Sequence, residues 1–476
     1  MKRLKLFLSN FIIYGMGSVI GQIVPFLLLP YITRIMPNTT YFGLNDIFNI
    51  LVSLASALAM FGMYDAVFRM FFDKEDEKYK REICSSALFF TLGIAILLFL
   101  FLILERRMVA KLLFGSEKYV VLVWMAALNT LLGSTNLLLM APTRFLNERK
   151  IYLFTNALSP VISYGVAVLL LRKGYYITAL PLASVISSFT LEIFYLIRNH
   201  KWFSIGSVKK KYIGDMLKIA IPLVSNPIIY WIFKSSDRLM IAKMLGNDFV
   251  GIYAIGSKMG AVSQIIYSAF AGGWQYFAFS TMNDSDQVQM TSNIFEYLGV
   301  ISFGATMLLA SITDKLFTVL FAGEYAKGAI VAPYLFCAPL LLMLFQTAGN
   351  QFIVIKKTWP SGFILVCGAI ANLIFNYFFI KLIGIEGAAL GTLSGYMVSL
   401  AACVLILSRM KLLNLSKKFY VSVLLFAGFM LSWRFLFYND MLINCLIGTI
   451  IIMSYMFMYR GDLFSLFNLL KEKKKL

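Results

Sequence analysis

Apolar runs of about 20 residues recur along the whole chain and are broken only by short polar segments. A helix of about 20 apolar residues is long enough to cross the roughly 30 Å hydrocarbon core of a bilayer. Of the 476 residues, 60% are hydrophobic and 14% are charged, against about 45–50% and about 25% in soluble domains. A soluble fold could not bury this much apolar surface. The sequence therefore predicts an all-α integral membrane protein.

The polar breaks between these runs predict about fourteen transmembrane helices. The N-terminal run begins with basic residues, as a signal peptide does, but it lacks a small-residue cleavage site and continues into further apolar sequence. We therefore predict a retained first helix. The helices are predicted near 9–30, 44–68, 83–104, 119–141, 151–171, 175–197, 215–241, 249–279, 293–313, 329–355, 361–380, 384–408, 419–437 and 441–459.

The excess of basic residues is explained by membrane topology better than by nucleic acid. The chain has 43 Lys plus Arg, 23 Asp plus Glu and a net charge of +20. If both termini are cytoplasmic, the cytoplasmic segments hold about twice as many basic residues as the external ones, as the positive-inside rule requires. The basic external stretch from Glu105 to Lys118 departs from this pattern. We predict cytoplasmic termini and no nucleic-acid partner.

Two pairs of similar segments indicate an internal repeat. YITRIMPNTTYFGLNDI (31–47) resembles LMIAKMLGNDFVGIYAI (239–255), and RKGYYITALPLAS (172–184) resembles LIGIEGAALGTLS (382–394). Both pairs have nearly the same separation along the chain. Duplicated helix bundles are typical of transporters. The sequence predicts two six-helix bundles, 1–205 and 206–410, related by a pseudo-two-fold axis along the membrane normal, followed by two further helices and a basic cytoplasmic tail in 411–476.

Enzymatic and metal chemistry find no support in the sequence. His200 is the single histidine, which excludes an HExxH motif. The segment GIYAIGSK (251–258) departs from a phosphate loop, because Ser-Lys stands where that motif has Lys-Ser/Thr. We predict no enzyme, cofactor or metal, and energy from a Na⁺ or H⁺ gradient, membrane potential or substrate supply. Five cysteines lie far apart and form no evident disulfide framework or metal pair: Cys84, Cys337, Cys367, Cys403 and Cys445.

Basic residues inside apolar helices are candidates for binding an anion. A charge at the bilayer centre costs roughly 2.5–3.5 kcal/mol on insertion scales, so it should face a cavity or a partner. Lys258 lies near the predicted midplane, and Lys234 lies at a similar depth with Asp237 and Arg238 one turn later. The alternative is an ion-pair set in which Asp237 neutralises Lys234 at i, i+3. Arg34 could reach a cavity mouth or lipid headgroups.

Several polar residues are candidates for a coupling site or a polar cavity. Asp46 and Asn49 lie one turn apart near the outer end of the second helix and could bind a cation or proton. Asn372 and Asn376 stand at i, i+4 and could meet sugar hydroxyls. They could equally bond to neighbouring helices.

Three stretches resemble bacterial oligosaccharide flippases of the Wzx type, which belong to the multidrug/oligosaccharidyl-lipid/polysaccharide exporter superfamily. The first is SSDRLMIAKMLGNDFVGIYAIGSKM (235–259), which contains Arg238 and Lys258. The second is NLIFNYFFIKLIGIEGAALGTLSG (372–395), with an asparagine-rich helix before a Gly-Ile-x-Gly-Ala-Ala turn. The third is PYITRIMPNTTYFGLNDIF (30–48).

The resemblance implies two lobes around a cationic cavity in a bacterial cytoplasmic (inner) membrane. It implies a substrate of undecaprenyl-pyrophosphate-linked oligosaccharide, flipped by alternating access for O-antigen or capsule synthesis. The implied partners are this lipid-linked oligosaccharide, membrane lipids and a polysaccharide polymerase. Lys234, Arg238, Lys258 and Arg34 would then meet the pyrophosphate. The chain departs from a symmetric site, because the repeat places Ile50 opposite Lys258.

Three other functions stay open at this point. A cation-coupled multidrug exporter of the same superfamily would need acidic rather than basic residues in its cavity. A peptidoglycan lipid flippase would handle a similar pyrophosphate lipid. A membrane scaffold without transport activity would need neither a buried lysine nor a duplicated bundle.

Overall fold

The computed structural model describes residues 21–223, 225–280, 284–355, 357 and 359–462, and every regular element in those ranges is a helix. Among the described residues, twelve helices are long and apolar enough to cross a membrane, and a shorter apolar helix spans Gly21–Ile35. The all-α membrane fold is thereby confirmed. Residues 9–20 of the first predicted helix and most of the basic tail lie outside the described residues.

The helices follow one another with short connections, as expected for a polytopic chain. In chain order they are α1 (Gly21–Ile35), α2 (Thr40–Met60), α3 (Met63–Met70), α4 (Glu77–Leu104), α5 (Arg106–Phe114), α6 (Val120–Phe145), α7 (Arg149–Arg172), α8 (Ala179–Asn199), α9 (Lys210–Leu223), α10 (Ser225–Met244), α11 (Asn247–Ser280), α12 (Gln287–Leu320), α13 (Ala332–Val354), α14 (Trp359–Ile383), α15 (Ile385–Arg409), α16 (Lys417–Phe435) and α17 (Met441–Met458).

The second predicted helix is broken in the structure, so the expectation of one helix over 44–68 is wrong. Phe61 and Gly62 have φ angles of 47° and 72°, a left-handed conformation that ends α2 and turns the chain into α3. Glycine adopts this conformation without the steric penalty that a Cβ brings. Hydropathy could not reveal the break, because apolar residues continue on both sides of it.

The basic stretch from Glu105 to Lys118, which the charge pattern predicts to be external, contains a helix that the sequence did not predict. In α5, Val109, Ala110 and Phe114 are buried while Arg107 and Lys111 are exposed. Long basic side chains can extend from such a helix to the polar headgroups while their stems cover apolar surface. The basic side chains of this stretch therefore lie on the exposed face of an amphipathic helix.

The described residues form two compact units, one from Met1–Ile255 with Asn376–Ala388 and the other from Gly256–Phe375 with Ala389–Leu476. In the first unit, α6 is central and packs against α2, α4 and α8, while α7 packs on α8. In the second unit, α12 packs against α13, α16 and α17. The last two helices are therefore integral to the packing of their unit.

The boundary between the two units does not coincide with the predicted lobe boundary at 205/206. Helix α10 belongs to the first unit because it packs against α2 and α9. Packing neighbours and repeated sequence are different criteria, so the division into lobes 1–205 and 206–410 stays a prediction.

We expect the left-handed turn at Gly62 to be sensitive to any side chain. A Cβ at this position would lie 2.9 Å from the Ala220 carbonyl oxygen, in addition to the strain of its φ of 72°. Gly62→Ala should therefore lower the free energy of unfolding by about 1–3 kcal/mol, measured as a lower thermal unfolding midpoint in detergent. Gly93→Ala, in α4 with open space around it, is the control and should not lower the midpoint. Equal midpoints for both variants would contradict this account.

Candidate functional site

The starts of α2 and α11 touch at the pair of glycines that the repeat aligns. A Cβ on Gly43 would overlap the Asn247 carbonyl oxygen, and a Cβ on Gly251 would overlap the Thr39 carbonyl oxygen. Both positions therefore require glycine, since its lack of a side chain lets the two backbones approach.

A side-chain hydrogen bond next to these glycines follows the same relation. The Thr40 hydroxyl donates to Asp248 Oδ1, and the two residues are separated by 208 positions, as are Gly43 and Gly251. When equivalent residues of two repeats meet each other, the contact is self-complementary about a two-fold axis. The sequence repeat thus coincides with a packing symmetry at this contact.

An ion pair between α2 and α10 lies beside this contact. Arg238 Nε is 2.6 Å from Asp46 Oδ2, and only 18% and 13% of the two side chains are exposed. Each residue lies about 9 Å from the nearer end of its helix, at about 1.5 Å per residue. Because water screens a buried ion pair only weakly, the Asp46–Arg238 pair holds α2 and α10 together more strongly than a surface ion pair would.

A second carboxylate and a tyrosine complete the surroundings of Arg238. Asp237 Oδ1 is 3.7 Å from Arg238 Nη1 and accepts the Arg238 backbone N–H at 2.7 Å. The Tyr253 hydroxyl of α11 donates to Asp237 Oδ2, and the Tyr253 ring lies 5.6 Å from the guanidinium. Asp237 itself is 2% exposed. The cluster of Asp46, Asp237, Arg238 and Tyr253 thus links α2, α10 and α11.

The structure separates the predicted cationic residues into different environments. Arg238 forms an ion pair with Asp46, whereas the sequence suggested that Asp46 could bind a coupling cation or proton. Lys234 is exposed, and its carbonyl oxygen accepts a hydrogen bond from Arg238. Asp237, which the alternative interpretation paired with Lys234, instead contacts Tyr253 and Arg238. Asp237 faces the packed side of α10, whereas Lys234 is exposed.

The other predicted residues have different environments. Arg34 is exposed and donates to the Pro30 carbonyl oxygen at 3.5 Å, and Asn49 is exposed on α2. Lys258 is half-buried in the part of α11 that belongs to the second unit. Asn372 and Asn376 are fully buried, and Asn372 donates to the Thr392 hydroxyl at 3.2 Å. That bond fits the alternative in which these amides link neighbouring helices.

Sequence reasoning missed three residues that fix the contact. Asp248 and Tyr253 provide side-chain partners for α2 and α10, and Asn247 Nδ2 donates to the Phe114 carbonyl oxygen at 3.0 Å. The repeat itself carried a usable signal, because it aligned Thr40 with Asp248. Polar residues that face each other in two aligned copies are candidates for a contact across the symmetry axis.

The chain matches one protein family and is similar to several solved structures. A family model described as "Polysaccharide biosynthesis protein" matches residues 7–280. No curated protein matches the chain.

Among solved structures, the chain is similar to lipid II flippase MurJ in an inward closed conformation, with 16% identity and a TM-score of 0.70 over 96% of this chain and 99% of that one. It is also similar to inward- and outward-facing multidrug resistance MATE family transporters of the MOP superfamily. Their identities are 13%, with TM-scores of 0.60 and 0.59. The inward-facing match covers 84% of this chain and 94% of the MATE chain. The outward-facing match covers 85% of this chain and 95% of the MATE chain. At these identities the likeness establishes a shared fold.

We expect the ion pair to respond asymmetrically to substitution. Arg238→Gln leaves Asp46 and Asp237 as two buried carboxylates without their cation, and should lower the free energy of unfolding by about 3–5 kcal/mol. Asp46→Asn should cost less, because Arg238 keeps Asp237 as a counterion. The double variant Asp46→Asn, Arg238→Gln should recover part of the loss. Thermal unfolding of all three variants measures these changes.

A surface ion pair provides the matched control. Arg69 and Asp73 are 68% and 42% exposed, so Arg69→Gln should cost less than about 1 kcal/mol. The buried-pair account fails if Arg238→Gln is no more destabilising than Arg69→Gln, or if the double variant is as unstable as the sum of the two single ones.

Proposed function

Because this chain belongs to the polysaccharide biosynthesis protein family, we propose that it is a lipid-linked oligosaccharide flippase of a bacterial cytoplasmic membrane. Its substrate is an oligosaccharide unit joined through pyrophosphate to undecaprenyl, flipped to the outer leaflet for O-antigen or capsule synthesis. The observation that carries the proposal is the presence of three basic residues on two consecutive helices. Lys258 lies in α11, which includes a segment long and apolar enough to cross a membrane, and Lys234 and Arg238 lie in α10.

Lysine and arginine inside the membrane suit the pyrophosphate of such a lipid. A dianionic group crossing hydrocarbon needs cationic hydrogen-bond donors to replace its water. Lys234 is exposed on α10 and is the primary candidate, with Lys258 as a second. Arg238 adds a positive charge that Asp46 and Asp237 already share, and Arg34 would act at the cavity mouth. The lipid tail would stay in the membrane.

The α2–α11 contact is suited to act as the external gate. With both termini cytoplasmic, the first residues of α2 and α11 lie on the external side, where the Gly43–Gly251 approach and the Thr40–Asp248 bond hold the two helices together. Alternating access would separate them and break the Asp46–Arg238 ion pair. Asp46 would then be released to bind H⁺ or Na⁺, with Asn49, Asn372 and Asn376 as polar groups of the pathway.

A cation-coupled multidrug exporter is the second candidate, supported by the fold shared with MATE transporters. Such a protein would need carboxylates available to a cationic drug, whereas Asp46 and Asp237 both face Arg238. A peptidoglycan lipid flippase would use the same anion chemistry, and the fold is shared with MurJ. A polysaccharide polymerase acting on the external side would take over the flipped oligosaccharide.

Lys234→Ala and Lys258→Ala should each slow flipping of a pyrophosphate-linked glycolipid in proteoliposomes. Losing a hydrogen bond to a charged group costs about 1.5–3 kcal/mol, which corresponds to a factor of roughly 10 to 150 in affinity. The readout is the rate at which labelled headgroups appear in the opposite leaflet, at equal amounts of reconstituted protein.

Two sets of variants serve as controls. Lys234→Arg and Lys258→Arg keep the charge and should retain most of the rate, and Lys211→Ala removes an exposed lysine of α9 and should leave it unchanged. Normal flipping by both alanine variants would show that neither lysine contacts the pyrophosphate. No flipping by the unmodified protein would contradict the proposed function itself.

Locking the proposed gate should stop transport reversibly. In a background in which all five native cysteines are replaced, we expect Thr40→Cys with Asp248→Cys to form a disulfide on oxidation, because the native side chains are in direct contact. The oxidised protein should lose flipping, and reduction should restore it. The two single-cysteine variants control for oxidation damage. Full flipping by the cross-linked protein would exclude this contact as a gate.

A further inference from the structure

A second polar region lies in the first unit and has no basic residue among those that line it. An open cavity of about 360 Å³ is lined mainly by α6, α7 and α8, and Gly21 of α1 forms part of its wall. Its volume falls within the roughly 300–1,000 Å³ typical of small-ligand sites. We propose that this cavity binds a neutral sugar ring of the lipid-linked oligosaccharide. This inference rests on the proposed function and assigns a separate site to the sugar part of the substrate.

The cavity is lined by neutral hydrogen-bonding groups. Seven of its eleven lining residues carry a hydroxyl or a side-chain amide, and none is charged. On α7, Thr155, Asn156, Ser159 and Ser163 recur at helical spacing and therefore share one face. Three apolar residues of α7 that do not line the cavity, Phe154, Val161 and Leu169, are exposed at 54%, 53% and 63%.

This asymmetry gives α7 one surface for lipid and one for a polar occupant. In hydrocarbon, a polar side chain without a partner is unfavourable, so a polar face inside a membrane protein lines either a helix interface or a cavity. Part of the α7 face packs on α8, and part faces the cavity.

Hydrogen bonds between α7 and α8 hold the polar wall in place. The Thr155 and Tyr195 hydroxyls are 2.7 Å apart, and the Ser159 and Ser187 hydroxyls are 3.1 Å apart. Asn156 Nδ2 donates to the Tyr152 carbonyl oxygen at 2.8 Å. A wall fixed before the ligand arrives loses less entropy on binding.

Two hydroxyls of this wall remain available to a ligand. Within the described residues, the side-chain hydroxyls of Ser163 and Tyr164 make no hydrogen bond, although both residues are half-buried and line the cavity. Hydroxyls can both donate and accept, as the hydroxyls of a sugar also do. The Tyr164 ring adds an apolar surface of the kind on which the C–H groups of a sugar ring can pack.

The lining chemistry distinguishes a sugar from other ligands of similar size. A phosphate would need basic donors, and those of the first unit's α10 are not among the lining residues. A cationic drug would need a carboxylate. The acidic residue of α8 in this region, Glu192, does not line the cavity and accepts a hydrogen bond from the Thr135 hydroxyl at 2.6 Å. A neutral polyhydroxylated ring matches the hydroxyls and amides that are present.

The direct test is sugar binding to the full-length protein in nanodiscs by saturation-transfer NMR. The probes are the methyl glycosides of glucose, galactose and N-acetylglucosamine. We expect the unmodified protein to bind at least one glycoside saturably. Tyr164→Phe and Asn156→Leu should each weaken that binding by a factor of about 5 to 10, because each removes one hydrogen bond. Gly21→Leu should weaken binding by filling the cavity while retaining every polar group.

A hydroxyl on α8 outside the cavity gives the matched control. Thr190 bonds to the Ile186 carbonyl oxygen and is not a lining residue, so Thr190→Val should bind the glycosides as the unmodified protein does. Thermal unfolding midpoints equal to that of the unmodified protein confirm that the cavity variants are folded. No glycoside binding, or binding unchanged in the cavity variants, would overturn the proposal. The proposal would also be overturned if the unmodified protein binds ethidium but no glycoside, and the cavity variants weaken ethidium binding.

Flipping assays separate this proposal from the proposed function. Tyr164→Phe should slow flipping of a pyrophosphate-linked oligosaccharide lipid by a factor of about 5 to 10, while flipping of undecaprenyl pyrophosphate without sugar should stay the same. Equal slowing of both lipids would overturn the sugar site. If the unmodified protein flips neither lipid but binds glycosides in the cavity, the flippase function fails and the sugar site stands.

Discussion

Hydrocarbon offers no hydrogen-bond partner and screens charge poorly, so a buried polar or charged group is stabilised when another polar group matches it. Arg238 illustrates the constraint. It lies largely buried in α10 beside two carboxylates, Asp46 and Asp237, and Asp237 also accepts a bond from the Tyr253 hydroxyl. Three helices are joined by these few bonds. The same requirement explains why Asn372 bonds to Thr392 and why Thr155 bonds to Tyr195.

Close approach of small residues is the second requirement of the fold. Gly43 and Gly251 bring the backbones of α2 and α11 together where a single methyl group would overlap a carbonyl oxygen. In lipid there is little hydrophobic drive for helices to associate, so close van der Waals packing carries more of the association energy. A contact made of two glycines and one hydrogen bond can hold two helices and still separate without exposing a large apolar surface.

Two polar regions of the first unit differ in their chemistry. Around Arg238 they are charged and mutually paired, and around Tyr164 they are neutral and form a cavity wall. A substrate made of a pyrophosphate and a sugar has the same two kinds of polar group. The proposed flippase function and the proposed sugar site both rest on this correspondence. The flippase function depends on the basic residues, and the sugar site depends on the residues that line the cavity.

The sequence by itself determined the class of fold, because apolar runs of about 20 residues permit only membrane-spanning helices. It also determined the repeat, since Gly43 and Gly251 align within similar segments, and it identified the few charges that hydrocarbon should not tolerate. Only the tertiary structure decided how those charges are used. It paired Arg238 with Asp46 rather than leaving both for a ligand, it gave Asp237 to Tyr253 instead of Lys234, and it broke the second helix at Gly62. A pattern along one helix shows which residues share a face, but the partner of each side chain depends on which helices become neighbours, and that is set by packing over the whole unit.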